Sequence, residues 1–166
     1  MYKRQIYDNI KKAVHFLLAT NIGEIVAIFV GLLLGIKSPL LAIQLLWVNL
    51  VTDSLPAIAL GLEKAENNIM NRLPRNPRKS LFADGLWGKI TTEGVMIGVL
   101  TLVAFSIGNN LYSIEVGRTM AFLSLGILEL VHSFNIKGEE SILKTGLFEN
   151  RYLVGAFVLG LSLIHI

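Results

Sequence analysis

Apolar residues fall into long runs separated by short polar stretches along almost the whole chain. A polar opening, Ile6 to Lys12, leads into an apolar run from Ala13 to Ile36. That run is long enough to cross about 30 Å of lipid hydrocarbon as one helix. Thr20-Asn21-Ile22-Gly23-Glu24 interrupts its apolar character. Lys37-Ser38-Pro39 is a short link, so the second span, about Gln44 to Leu62, returns antiparallel beside the first. Glu63 to Gly85 is the most charged segment, and Pro74 and Pro77 block a continuous helix there. A third span runs from about Trp87 to Ile107 and a fourth from about Arg118 to Phe134, joined by a short loop. A second charged loop, Ile136 to Asn150, precedes a fifth span opening at Tyr152. The pattern predicts an all-α membrane protein, an antiparallel bundle of about five transmembrane helices.

Composition agrees. The chain is 53% hydrophobic and 16% charged, with mean hydropathy +0.61, too apolar for an ordinary soluble domain. The charges cluster between the apolar runs, so the net charge of +3 reports topology and gives no nucleic-acid signal. Of 15 Lys and Arg residues, 13 fall on one side; only Lys37 and Arg118 fall opposite. The positive-inside rule then makes the N-terminus and both charged loops cytoplasmic. Absence of cysteine excludes disulfides and thiolate metal sites. Residues 1–5 and 161–166 resemble translated sequencing-adapter read-through, which leaves 6–160 as the native transmembrane domain, a slice of a longer protein.

The informative residues are polar ones at membrane depth. Glu24, Asp53 and Glu129 each lie inside an apolar span, and an intramembrane acid costs about 2.5–3.5 kcal/mol on insertion scales, which marks function. Helical spacing gives each a partner on its own face: Asn21 with Glu24, Asn49 with Thr52 and Asp53, His132 with Glu129. Pro56 offers no N–H to the carbonyl of Thr52, so the second span should loosen beside Asp53. Such broken backbone belongs where it is buried in protein or lines a polar cavity. Carboxylates, amide oxygens and a hydroxyl suit a hard cation, calcium above magnesium. A proton relay through the same acids is the alternative. Gly94 and Gly98 form a GxxxG pair for close helix packing, and Gly23 offers the matching groove. Glu93, one turn from Lys89, reads as a snorkelling surface acid, His15 as interfacial, and His132 as a hydrogen-bonding neighbour of a ligand.

Three stretches carry a family resemblance. Asn21-Ile22-Gly23-Glu24, Gln44 to Asp53 and Leu55-Pro56-Ala57 resemble the fifth and sixth transmembrane helices of P-type calcium-transporting ATPases. Ile69 to Pro77 looks like the cytoplasmic loop that follows, and the span with Glu129 and Asn135 is similar to the eighth helix. The resemblance implies one calcium site from Asn21, Glu24, Thr52, Asp53 and Glu129. It implies a second from Asn49 and Asp53, completed by a helix that lies upstream. It further implies ATP-driven export from the cytoplasm through an aspartyl-phosphate, with protons carried back by the emptied carboxylates. ATP and magnesium would bind the missing cytoplasmic domains, since the chain has no Asp-Lys-Thr-Gly motif and no phosphate loop; alone it should be inactive. Its partners would be the lipid bilayer and the N-terminal part of the same pump, in a bacterial plasma membrane or else an intracellular store membrane. Ser54 stands where the animal pumps have Gly, and His132 replaces an amide. A secondary cation/proton exchanger, a P-type pump for manganese or sodium, and a structural subunit are the competing readings.

Overall fold

The computed structural model describes residues 2–36, 38–64, 81–82, 85–138 and 150–165. Its regular elements are all helical: α1 (Tyr2–Leu33), α2 (Ala42–Trp47), a π-helical segment (Val48–Asp53), α3 (Ser54–Gly61), α4 (Leu86–Leu111), α5 (Ile114–Ile136) and α6 (Arg151–His165). The all-α bundle expected from the hydropathy pattern is present. The cytoplasmic-loop resemblance at Ile69 to Pro77 and the basic run around it lie outside the described residues.

Helix α1 has 32 residues, about 48 Å of helix against about 30 Å of hydrocarbon, so its polar first turns extend beyond the apolar layer. Thr20 to Glu24 does not break it, because side-chain polarity leaves the backbone ladder intact. It ends at Gly35, whose φ of 74° supplies the left-handed residue of a helix stop. Gly35 N–H donates to the Leu32 carbonyl (3.0 Å) and Ile36 N–H to that of Gly31 (2.9 Å). Gln44 Oε1 then accepts from Leu41 N–H at 2.8 Å and opens α2.

The second span is continuous from Ala42 to Gly61 but built in three pieces. The loosening expected upstream of Pro56 takes the form of a wide π turn, not an unwound one. π geometry bonds each N–H to the carbonyl five residues back. The Ser54 hydroxyl does the same with its side chain, donating to the Asn49 carbonyl at 3.2 Å.

Neighbouring contacts set the topology. Helices α1 and α4 run parallel along a glycine seam: a Cβ on Gly94 would lie 2.7 Å from the Ala19 carbonyl oxygen, and one on Gly98 2.6 Å from that of Gly23. Gly23 itself faces Ile97. The GxxxG glycines of α4 thus lie against α1. Helices α4 and α5 form a hairpin across Tyr112 and Ser113, where Ser113 Oγ caps α5 by accepting from Val116 N–H at 3.3 Å. Helix α6 runs back along α5, with Gly160 against Leu130 and Gly126 against Ile164. Among the described residues three helical stretches, Lys3–Leu33, Ala42–Gly61 and Leu86–Leu111, are long and apolar enough to cross a membrane. Helix α5, with 23 residues, has the length as well, while α6 is shorter. Ile25, Phe29, Leu33, Ile43, Leu50, Ile58 and Val99 are exposed around the outside, a lipid-facing surface that a water-soluble monomer does not carry.

Among the described residues three apolar clusters hold the interior, one of them Ala19, Leu86 and Ile90 between α1 and α4, and the other two lie toward opposite ends. Phe16, Ala59, Leu60, Phe134 and Leu153 pack at the end where α1 begins. Val48, Ile97, Phe105, Ala121 and Leu125 pack toward the other. At the first end, polar side chains close the C-terminus of α3. Asn9 Nδ2 donates to the carbonyls of Gly61 (3.0 Å) and Glu63 (2.8 Å), and Gln5 Nε2 to that of Glu63 (3.0 Å). Asn150 Nδ2 donates to the Ala59 carbonyl (3.1 Å) and to the Glu63 carboxylate. Its Oδ1 caps α6 by accepting from Tyr152 and Leu153 N–H, each at 3.0 Å.

Candidate cation site

Between the two apolar clusters toward opposite ends lies a polar layer, to which three elements contribute. On α1 it falls between Phe16 and Ala27, on the second span between Val48 and Ala59, and on α5 between Leu125 and Phe134. Glu24, Asp53 and Glu129 are all buried there, with Asp53 at 1% and Glu129 at 0% exposure. Glu129 lies within electrostatic reach of both Asp53 and Glu24. The three acids expected at similar depth are therefore brought together.

Their hydrogen bonding is uneven. Asn49 Nδ2 donates to both oxygens of Glu24, at 2.7 and 2.8 Å, and ties α1 to the π segment. Thr20 Oγ1 donates to Asp53 Oδ2 at 2.7 Å. Asp53 Oδ1 and both oxygens of Glu129 are buried with no N–H or hydroxyl donor beside them, and the Asp53 and Glu129 carboxyls face each other closely enough to share a proton. A buried polar atom left unpaired costs about 1–3 kcal/mol, more when charged. Three such oxygens in one layer form an acceptor set that either protons or a hard cation would satisfy.

The remaining expected residues are placed as follows. Thr52 is fully buried, but its hydroxyl donates to the Val48 carbonyl at 2.7 Å. Asn21 donates to the Leu17 carbonyl at 2.6 Å, within its own helix, leaving its Oδ1 as the atom available to a ligand. Pro56 is buried in the first turns of α3, immediately after the π segment. Threonine 20 was not anticipated. Its spacing, four residues before Glu24 on the same face, was the available signal.

His132 corrects an expectation. No hydrogen bond joins it to Glu129, whose oxygens have no N–H donor beside them. Three residues along α5 turn its ring toward α1 and α4, where it stacks on Phe16 with ring centroids 6.3 Å apart. Its Nε2 lies 3.7 Å from Glu93 Oε2. Glu93 is likewise not the snorkelling acid expected, because its carboxylate meets His15 Nε2 at 2.5 Å.

Comparison with known proteins places the chain in a family. The family described as cation transporting ATPase, C-terminus, matches residues 37–166. The chain belongs to this cation-transporting ATPase family. The cation-ATPase region is 42% identical over 163 residues to a calcium-transporting ATPase of Bacillus subtilis, covering 97% of this chain and 18% of that protein. It is 41% identical to calcium-transporting ATPase 1 of Bacillus cereus, covering 95% and 20%. It is 40% identical to calcium-transporting ATPase 1 of Lactococcus lactis, covering 96% and 18%. The chain thus spans about a fifth of the length of these relatives, the C-terminal membrane region of P-type pumps. Like them it is a multi-pass membrane protein.

Proposed function

We propose that this region is the membrane half of an ATP-driven pump that exports calcium from the cytoplasm. Asn21, Glu24, Thr52, Asp53 and Glu129 would ligate one ion. Asn49 and Asp53 would contribute to a second, with Asp53 bridging both. Calcium is the cargo, and the six to eight flexible oxygen ligands it takes match this donor chemistry. The observation that carries the reading is the facing pair of carboxyls on Asp53 and Glu129, with Asp53 Oδ1 and both Glu129 oxygens buried without a donor where three helices meet.

The π segment supports it further. A π turn widens the helix and is frequent at functional sites; here it includes Asn49, Thr52 and Asp53. When the ion has left, the clustered acids would carry protons back, because like charges in a low dielectric repel. ATP and magnesium would act in cytoplasmic domains upstream. On this reading the positive-inside rule would put α1's first turns in the cytoplasm, with the pump in a bacterial plasma membrane.

The test is ATP-driven calcium uptake into vesicles by the full-length pump carrying this region, with Glu24→Gln alongside. Uptake that the substitution impairs is the expected result. Phosphorylation by ATP without calcium uptake would retain the family and redirect the cargo to manganese, sodium or protons.

A further inference from the structure

We propose that His15, Glu93 and His132 form a second metal site, for a transition-metal dication of the zinc class, separate from the carboxylate layer. The three residues come from α1, α4 and α5 and bring two imidazoles and one carboxylate together. Their donor atoms all lie within 4.8 Å of one another. His15 Nε2 is 2.5 Å and His132 Nε2 3.7 Å from Glu93 Oε2, and the two rings meet edge to face with centroids 6.2 Å apart. His132 Nε2 is buried and has no hydrogen-bond partner, so one donor of the set is already desolvated and aimed at the others.

The chemistry separates this site from the calcium layer. Two imidazoles and a carboxylate are a recurrent zinc set with a fourth position open. Calcium favours six or more oxygens and gains little from imidazole. Tetrahedral zinc with bonds near 2.1 Å holds its ligands about 3.4 Å apart. To reach that spacing the His15–Glu93 pair must open by about 0.9 Å and the His132–Glu93 pair close by about 0.3 Å, movements within side-chain reach. A cavity of about 300 Å³ adjoins the site, lined by Asp8, Lys11, Lys12, Lys89 and Asn135 as well as His15 and Glu93. It gives an ion a route in and leaves room for water at the fourth position. The lysines on its wall favour a hydroxide or another anion there.

A bound ion would pin α1, α4 and α5 together one turn along α5 from Glu129. Its consequence would be control of how freely α1 and α5 move apart around the polar layer, that is, metal-dependent modulation of the transport site.

The experiment uses the full-length pump in lipid nanodiscs, stripped with chelator and titrated with Zn²⁺ alone. One ion per chain is expected to bind with a dissociation constant below about 10 µM. His15→Ala, Glu93→Gln and His132→Ala should each weaken it by about tenfold or more. Co²⁺ in the same site should give visible ligand-field absorption that Glu93→Gln removes. Millimolar Ca²⁺ and Asp53→Asn should leave the zinc in place. The proposal is overturned if no zinc binds, if Ca²⁺ or Asp53→Asn displaces it, or if the His15 and Glu93 variants, folded by circular dichroism, bind as well as the parent.

Discussion

Thr20 and Asp53, on neighbouring helices and 33 residues apart in sequence, share one hydrogen bond of 2.7 Å: the hydroxyl on α1 donates to Oδ2 of the acid at the end of the π segment. The bond fixes one carboxylate oxygen and leaves the other, Oδ1, without a donor beside it. Thr20 is therefore a positioning residue for the acid on which the proposed site depends.

Thr20→Val keeps the shape and removes the donor. It should weaken the calcium dependence of phosphorylation in the full-length pump by about three- to tenfold, since a lost hydrogen bond to a charged group is worth about 1.5–3 kcal/mol and part is recovered by relaxation. Thr20→Ser should retain most of the affinity. Equal calcium dependence in all three proteins would remove Thr20 from this role.

If Asp53 bridges both ions as proposed, Asp53→Asn should abolish calcium-dependent phosphorylation altogether, because that position loses its charge. Glu129→Gln should weaken one ion more than the other. The readouts are calcium titration of the phosphoenzyme and the number of ions bound per chain. Unchanged stoichiometry and affinity in Glu129→Gln would show that its two oxygens are not ligands.

The glycine seam makes a prediction about stability. Gly98→Ala places a Cβ 2.6 Å from the Gly23 carbonyl oxygen, against backbone that cannot turn aside. Overpacking of this kind costs about 1–3 kcal/mol. Gly88, also on α4, faces open space, and Gly88→Ala should stabilise by about 0.5–1 kcal/mol through the unfolded chain and helix propensity. Thermal unfolding in detergent should move in opposite directions for the two variants.

Asn150→Ala removes a helix cap and two bonds to the α3 end together. A lost cap alone costs about 0.5–2 kcal/mol. Hydrogen exchange should quicken at the start of α6 and at Glu63. Quickening at α6 alone would mean that the tie to α3 carries no energy.

Much of this was legible in the chain. Except at the start of α1, which takes in the polar stretch before Ala13, the apolar runs ended within a few residues of the observed helices, because span length and lipid thickness constrain each other. The depth of Glu24, Asp53 and Glu129 followed from counting along straight helices. Pro56 marked where the second span would depart from α geometry, though the lost donor alone did not distinguish a π turn from an unwound one. What the pattern could not supply was contact between helices. His15 and Glu93 are 78 residues apart in sequence, and periodicity assigns a face to each without saying which faces meet. Glu93 read as a surface acid because Lys89 lies one turn away; an imidazole on α1 proved to be its partner. His132 read as a neighbour of Glu129 for the same local reason.

The π segment has a consequence for how such a membrane helix can arise. A π turn holds one residue more than an α turn over a similar rise. Beyond Val48–Asp53, every side chain is therefore rotated by about 100° from where an unbroken α-helix would present it. Buried Pro56, Ala59 and Leu60 face the interior only in that rotated phase. Exchanging one side chain for another changes the donors but never the phase. Removing a single residue between Val48 and Asp53 would swing the whole of α3 around its axis and turn Pro56, Ala59 and Leu60 away from their present neighbours. The difference between a helix that carries this polar layer and one that only crosses lipid is thus a matter of one codon gained or lost, before any change of ligand.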